Sequence, residues 1–213
     1  MLTMTNVQDA IFDYLRHRSR GKVYTSKDLS QLGNRAAVDQ ALSRLARDGT
    51  LQRLARGLYY YPKTNPRLGI VVSPSADEIA AALARQTGSR IAPSGALAAN
   101  RLGLSTQVPA KHVYLTDGRS REVRVGNQVF AMKHVAPKEL PIGSPVSAVV
   151  FQALRYLGSD SIDDTVISRL RRRLSPKQRQ QLLRDARYTT GWIADVVRKI
   201  GASDRVEEAA IHG

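Results

Sequence analysis

The chain is 213 residues long, enough for two modest domains with a core each. It has no cysteine, which excludes disulfides, thiolate zinc sites and cysteine nucleophiles and fits a reducing cytoplasm. Thirty-three Lys and Arg against eighteen Asp and Glu give a net charge of +15, which favours polyanionic partners, with a merely soluble basic surface as the alternative.

No apolar run approaches the roughly eighteen residues of a membrane-spanning helix, so no membrane partner is expected. The opening MLTMTNVQDA has no basic segment followed by an apolar one, so no signal peptide is expected either. The positive excess is densest at the front. Residues 1–68 carry 12 basic and 5 acidic side chains, residues 69–140 carry 9 and 5, and residues 141–213 carry 12 and 8.

An opening helix is predicted over residues 5–18, capped by Thr5 or Asn6, with Val7, Ala10, Ile11, Tyr14 and Leu15 on one face. Gly21 stops it among Arg16, Arg18, Arg20 and Lys22. Lys22-Val23-Tyr24 reads as a short strand. Thr25 then caps a second helix at 26–31 whose apolar contact is Leu29. A tight turn at Gly33-Asn34 leads to a third helix, Arg35 to Asp48. At 100° per residue, Val38, Ala41, Leu42 and Leu45 share one arc and Ala36, Gln40, Ser43, Arg44 and Arg47 the opposite one. That second arc suits a recognition helix. Arg bonds guanine edges or phosphates, Gln pairs with adenine, and small residues allow close approach.

Gly49 ends this helix. Leu51–Leu54 and Leu58–Tyr61 then form a hairpin with the basic turn Ala55-Arg56-Gly57 at its tip. Arg53 and Arg56 are placed to meet the sugar-phosphate backbone or the minor groove. Of Tyr59, Tyr60 and Tyr61 most are expected to pack in the core. Helix, turn, helix and basic hairpin in this order are the pattern of a winged helix-turn-helix. Pro62 closes the unit, and residues 63–67, with no apolar period, read as a linker.

Beyond it, Ser75 caps a helix over 76–87 with Ile79, Ala80, Leu83 and Ala84 on one face. Ile91-Ala92 is a candidate strand, and Pro93-Ser94-Gly95 leads into a helix from Ala96 to Leu102, ended by Gly103. Strands are expected at His112–Thr116, Glu122–Val125 and Val129–Val135, with turns at Gly118 and Gly126-Asn127. Four helices should follow. They start at Ser144-Pro145 (to Leu157), at Ser161 (with Val166, Ile167 and Leu170), at Ser175-Pro176 (to Arg187) and at Thr190 (with Trp192, Ile193, Val196, Val197 and Ile200). The polar tail from Ser203 is expected to be loose. The fold class is therefore α+β: a winged helix-turn-helix at residues 1–66, then a larger α+β domain at 67–213. The latter has a small, mostly antiparallel sheet and a helical C-terminal third.

Arg169, Arg171, Arg172, Arg173, Lys177, Arg179, Arg184 and Arg187 cluster in that last third. They are either a second surface for a polyanion or partner, centred on Arg169, Arg172, Arg173, Lys177 and Arg179, or two solvated helix faces around a turn. Were the helix to hold through Arg171–Arg173, successive side chains would point 100° apart and could not all serve one interface.

Catalytic signatures are missing. There is no phosphate-binding GxxxxGK[ST], HExxH, GxSxG or dinucleotide fingerprint. His17, His112, His134 and His212 are not at metal-ligand spacing, and Ser94 before Gly95 has no evident base. Asp163-Asp164 is explained by a helix dipole. No enzyme, cofactor or metal is expected.

Three stretches in this order resemble the AbiEi family of antitoxins: ALSRLARDGTLQRLARGLYYYP (41–62), APSGALAANRLGLSTQVP (92–109) and HVYLTDGRSREVRVGNQVFAMKHV (112–135). The likeness spans most of residues 5–200. It implies an antitoxin of a type IV toxin–antitoxin pair in phage defence. Its winged domain would bind inverted repeats in double-stranded DNA at its own promoter and repress it. Its C-terminal domain would neutralise a nucleotidyltransferase-like toxin, without need of a stable complex. By this resemblance DNA contact falls on Arg35, Gln40, Ser43, Arg44, Arg47, Arg53 and Arg56. The alternatives are a stand-alone winged-helix regulator whose second domain senses or oligomerises, and a nucleic-acid-processing enzyme with a winged targeting domain.

Overall fold

A computed structural model describes residues 6–107, 109–189 and 191–202. Helix α1 (Val7–Arg16) is capped by Asn6, whose side chain accepts from Gln8 N–H, and buries Ile11 and Leu15. The alternative cap, Thr5, lies outside the described residues. Strand β1 (Val23–Tyr24) follows, then Ser26–Leu32, which winds as a 3₁₀ segment rather than an α-helix. Asp28 reaches back to both the N–H and the hydroxyl of Thr25, at 2.9 and 3.0 Å, closing a capping box. Gly33 is extended, and Asn34 caps α2 (Arg35–Arg47) by accepting from Ala37 N–H at 2.9 Å. As the angular pattern predicts, α2 buries Val38, Ala41, Leu42 and Leu45.

The wing is β2 (Gln52–Ala55) and β3 (Leu58–Tyr60), paired antiparallel with a register irregularity between Arg53 and Ala55. Gly57 turns the tip with φ +70°. β1 adds to β3, so the sheet order is β1-β3-β2, with Val23 opposite Tyr60 and Tyr24 opposite Tyr59. Tyr59, Tyr60 and Tyr61 are all buried, joining or flanking a core that includes Ile11, Leu15, Leu29, Leu42 and Leu51. At about 25 cal/mol per Å² of apolar surface, such aromatics dominate the stability of a core this small.

The stretch read as a linker is instead structured. β4 (Lys63–Thr64) pairs antiparallel with β5 (Val71–Val72). The Asn65 side chain accepts from Arg67 N–H at 2.9 Å, and its carbonyl accepts from Gly69 N–H at 2.9 Å. A two-residue strand leaves no readable period, and the Asn65–Gly69 turn closes the ribbon.

Ser75 caps α3 (Ala76–Thr87), which ends at Gly88 in the left-handed region. β6 (Ile91–Pro93) runs into α4 (Gly95–Arg101), then β7 (His112–Thr116), β8 (Arg121–Val125) and β9 (Gln128–His134). Four α-helices follow among the described residues: α5 (Pro145–Leu157), α6 (Asp164–Arg173), α7 (Pro176–Asp185) and α8 (Gly191–Gly201). Asp163, not Ser161, caps α6, accepting from Val166 N–H at 2.8 Å; Ser161 sits in a preceding 3₁₀ turn. The carboxylate satisfies the helix N-terminus better than the hydroxyl two residues earlier. Thr190 and the tail from Ser203 lie outside the described residues. The mixed α+β class with small antiparallel sheets and a helical C-terminal part is the observed one.

Packing divides the described residues into two compact units: those up to Ile91 together with Ser120–Ala131, and Ala92–Arg119 together with those from Met132 onward. This division does not follow the 66/67 boundary expected from the sequence. α3 packs on the winged unit, where Val23 N–H donates to Glu78 at 3.1 Å. Arg85 bridges Asp28 at 2.9 Å and Val23 O at 2.7 Å. Tyr60 Oη also donates to Val72 O. In the first unit β8 lies beside β9. In the second β6 lies beside β7, and a helical core gathers Ala98, Ala99, Phe151, Leu154, Leu170, Leu182 and Val197.

Candidate nucleic-acid interface

Helix α2 turns its apolar arc fully inward, so its polar arc is left outside. Gln40, Arg44 and Arg47 are exposed there, and Ser43 is half-buried at its margin. Arg35 is exposed at the first turn, with its Nε 3.7 Å from Asp39. On the wing, Arg53 and Arg56 are exposed. Arg44, Arg47, Arg53 and Arg56 make no ion pair among the described residues. Free guanidinium groups on a helix and an adjoining hairpin can bond phosphate oxygens bidentately or guanine edges.

These residues fall into two groups. Arg35, Asp39 and Ser43 on one edge of α2 share with Arg53 and Arg56 a cleft of about 1100 Å³. Gln40, Arg44 and Arg47 lie further round the helix, outside it. The 3₁₀ segment contributes Ser26, Lys27 and Ser30, and α3 and β8 contribute Gln86 and Arg121. Among the described residues Asp39 is the single carboxylate lining the cleft; Ser26 Oγ donates to it.

The wing tip is clamped from within the same unit. Gln86 Nε2 donates to the carbonyls of Arg56 at 3.2 Å and Gly57 at 3.5 Å. Arg121 Nη1 in turn donates to Gln86 Oε1 at 3.1 Å and its Nη2 to Leu83 O at 2.7 Å. Burial pulls the Arg121 guanidinium below its usual range, yet arginine stays charged in proteins. Lys27, Gln86 and Arg121 were not singled out from sequence. Gln86 and Arg121 lie 30 and 65 residues beyond Arg56, and no local pattern links them to it.

In the second unit, Arg171, Arg172, Arg173 and Arg179 line a notch of about 530 Å³ where α6 turns into α7. α6 holds through Arg173 and breaks only at the extended Leu174, so the three successive side chains leave it about 100° apart, as expected, although all three border the notch. Arg171 is committed to Ala202 O at 3.0 Å, and Arg169 donates to Gly103 O at 2.9 Å, away from the notch. Lys177 is exposed beside it.

Ser94 accepts from Leu97 N–H as the cap of α4, and Gly95 lets α4 approach α5. His134 Nδ1 donates to Gly118 O at 2.8 Å and His17 Nδ1 to Asp13 O at 2.8 Å. No helix among the described residues is long and apolar enough to cross a membrane.

Fold and site together define an α+β protein with a winged helix-turn-helix carrying a free basic face. The chain belongs to the DUF6088 family, a family of unknown function, whose model matches residues 10–182. No curated protein matches the sequence.

Proposed function

We propose that the protein is an autorepressor and antitoxin of a type IV toxin–antitoxin operon, acting in the cytoplasm. It binds inverted repeats in its promoter through α2 and the wing, and its C-terminal part neutralises a nucleotidyltransferase-like toxin. One observation carries the DNA half: the apolar arc of α2 is wholly buried while Gln40, Arg44 and Arg47, and Arg53 and Arg56 on the wing, stay exposed. An ordinary solvated helix has no need of a clamped basic hairpin beside it. In this reading α2 lies in the major groove with Gln40, Arg44 and Arg47 at base edges, while Arg53 and Arg56 hold the backbone. The antitoxin half rests on the resemblance of residues 92–109 and 112–135 to the AbiEi family.

Footprinting on the protein's own promoter tests the DNA half. Arg44→Ala and Arg47→Ala each weaken binding by roughly 1–3 kcal/mol per base-reading contact. Unchanged footprints in both variants would overturn the assignment of α2. Co-expression with a nucleotidyltransferase-like neighbour tests the other half: the protein relieves the growth arrest. Persistent arrest alongside intact promoter binding would leave a stand-alone regulator whose second domain senses or oligomerises.

A further inference from the structure

The cleft between α2 and the wing has features that base reading does not require. Its volume, about 1100 Å³, is a little above that of small-molecule sites, on the order of 300–1,000 Å³, so a ligand would fill part of it. Five cationic side chains and one carboxylate line it, and that carboxylate, Asp39, is already engaged by Ser26 and Arg35. Lys27, Arg53 and Arg56 have no ion-pair partner among the described residues. The cations come from separate walls: the 3₁₀ segment, the start of α2 and the wing. Cations on several walls suit a ligand that carries more than one anionic group. The Gln86–Arg121 clamp holds the wing wall in place, so little ordering is left for a ligand to impose.

We propose that this cleft binds a small ligand bearing a di- or triphosphate group, such as a nucleotide. Occupation withdraws Arg35, Ser43, Arg53 and Arg56 from duplex DNA. The site stands without the DNA reading; its effect on repression rests on that reading.

Calorimetry on the full chain without DNA tests it, with inorganic triphosphate, ATP and adenosine as probes. Triphosphate and ATP bind, and adenosine does not. Lys27→Gln, at an exposed position that leaves the core intact, weakens both phosphate probes roughly tenfold, as expected for a lost charge-assisted contact. Arg155→Gln, an exposed change on α5, leaves both affinities unchanged. Three results would overturn the proposal: no heat from either phosphate probe up to about 1 mM, adenosine binding as tightly as ATP, or affinity indifferent to Lys27→Gln. A second measurement separates this site from the DNA reading. ATP displaces labelled promoter duplex from the parent, and roughly tenfold more is needed for Lys27→Gln. A protein that binds triphosphate but never duplex keeps the site and loses the DNA reading; the reverse result loses the site alone.

Discussion

At the scale of single residues, Asp185 shows how a charge is held inside. It is 5% exposed and accepts from Ser144 N–H at 2.8 Å, Ser147 Oγ at 2.7 Å and Gln181 Nε2 at 3.1 Å. Burial pushes its carboxyl up, but these hydrogen bonds outweigh burial and hold it below the usual carboxylate range. A folded-state pKa below the unfolded value of about 3.9 gives a contribution present above that pH and lost as pH falls through the folded value. Asp185→Asn should therefore cost about 1.5–3 kcal/mol at pH 7. Its stability should also fall less steeply than the parent's below about pH 4. Urea unfolding at both pH values measures this, and parallel acid limbs would contradict it. None of this was legible from sequence, because Ser144 and Asp185 lie 41 residues apart. Gly57 was legible. Its basic-Gly turn between two apolar runs called for a positive φ, and φ is +70°. A Cβ there would also meet Gln86 Nε2 at 2.7 Å. Gly57→Ala should cost about 1–2 kcal/mol of stability in thermal unfolding.

At the scale of elements, helical spacing on α2 separated its inner and outer faces correctly because Val38, Ala41, Leu42 and Leu45 leave no ambiguous position. The wing followed from Gly57, and α5 and α7 from their Ser-Pro starts. What spacing could not give was how closely elements approach. Gly95 has a Tyr156 Cβ only 2.5 Å from where its own Cβ would be and Gln152 O at 3.1 Å. Gly95→Ala should force α4 from α5 and cost roughly 1–3 kcal/mol, visible as a lower denaturant midpoint. The wing has an electrostatic signature instead. If Arg53 and Arg56 hold phosphates, Arg53→Ala with Arg56→Ala should lower affinity across sequences. The slope of log K on log salt should then flatten by about 0.9 per lost contact. A slope equal to the parent's would show that these arginines do not touch the backbone.

For the whole molecule, composition bounded the answer and packing redrew it. The excess of positive charge is densest at the front, yet exposed basic side chains also border the notch between α6 and α7. The boundary expected near residue 66 did not anticipate that α3 and Ser120–Ala131 belong with the winged unit. The reason is physical. The contacts that bind them are hydrogen bonds that Glu78 accepts and that Arg85 and Arg121 donate, with partners 35 to 62 residues away, and Ile79 and Leu83 are only 2% and 1% exposed. Exposed polar side chains on a helix read as surface until the partner backbone is seen. A fragment cut after Pro66 loses the Glu78, Arg85 and Tyr60–Val72 hydrogen bonds, each worth about 0.5–1.5 kcal/mol net. Against a total stability on the order of 5–15 kcal/mol, that loss is large. Fragment 1–91, which keeps them, should therefore show the higher free energy of unfolding in urea. It should also bind promoter duplex more tightly, since α3 supplies the Gln86 bonds to the wing tip. Equal stability of the two fragments would mean that the winged unit stands without α3, and that the clamp on Arg56 and Gly57 is incidental to it.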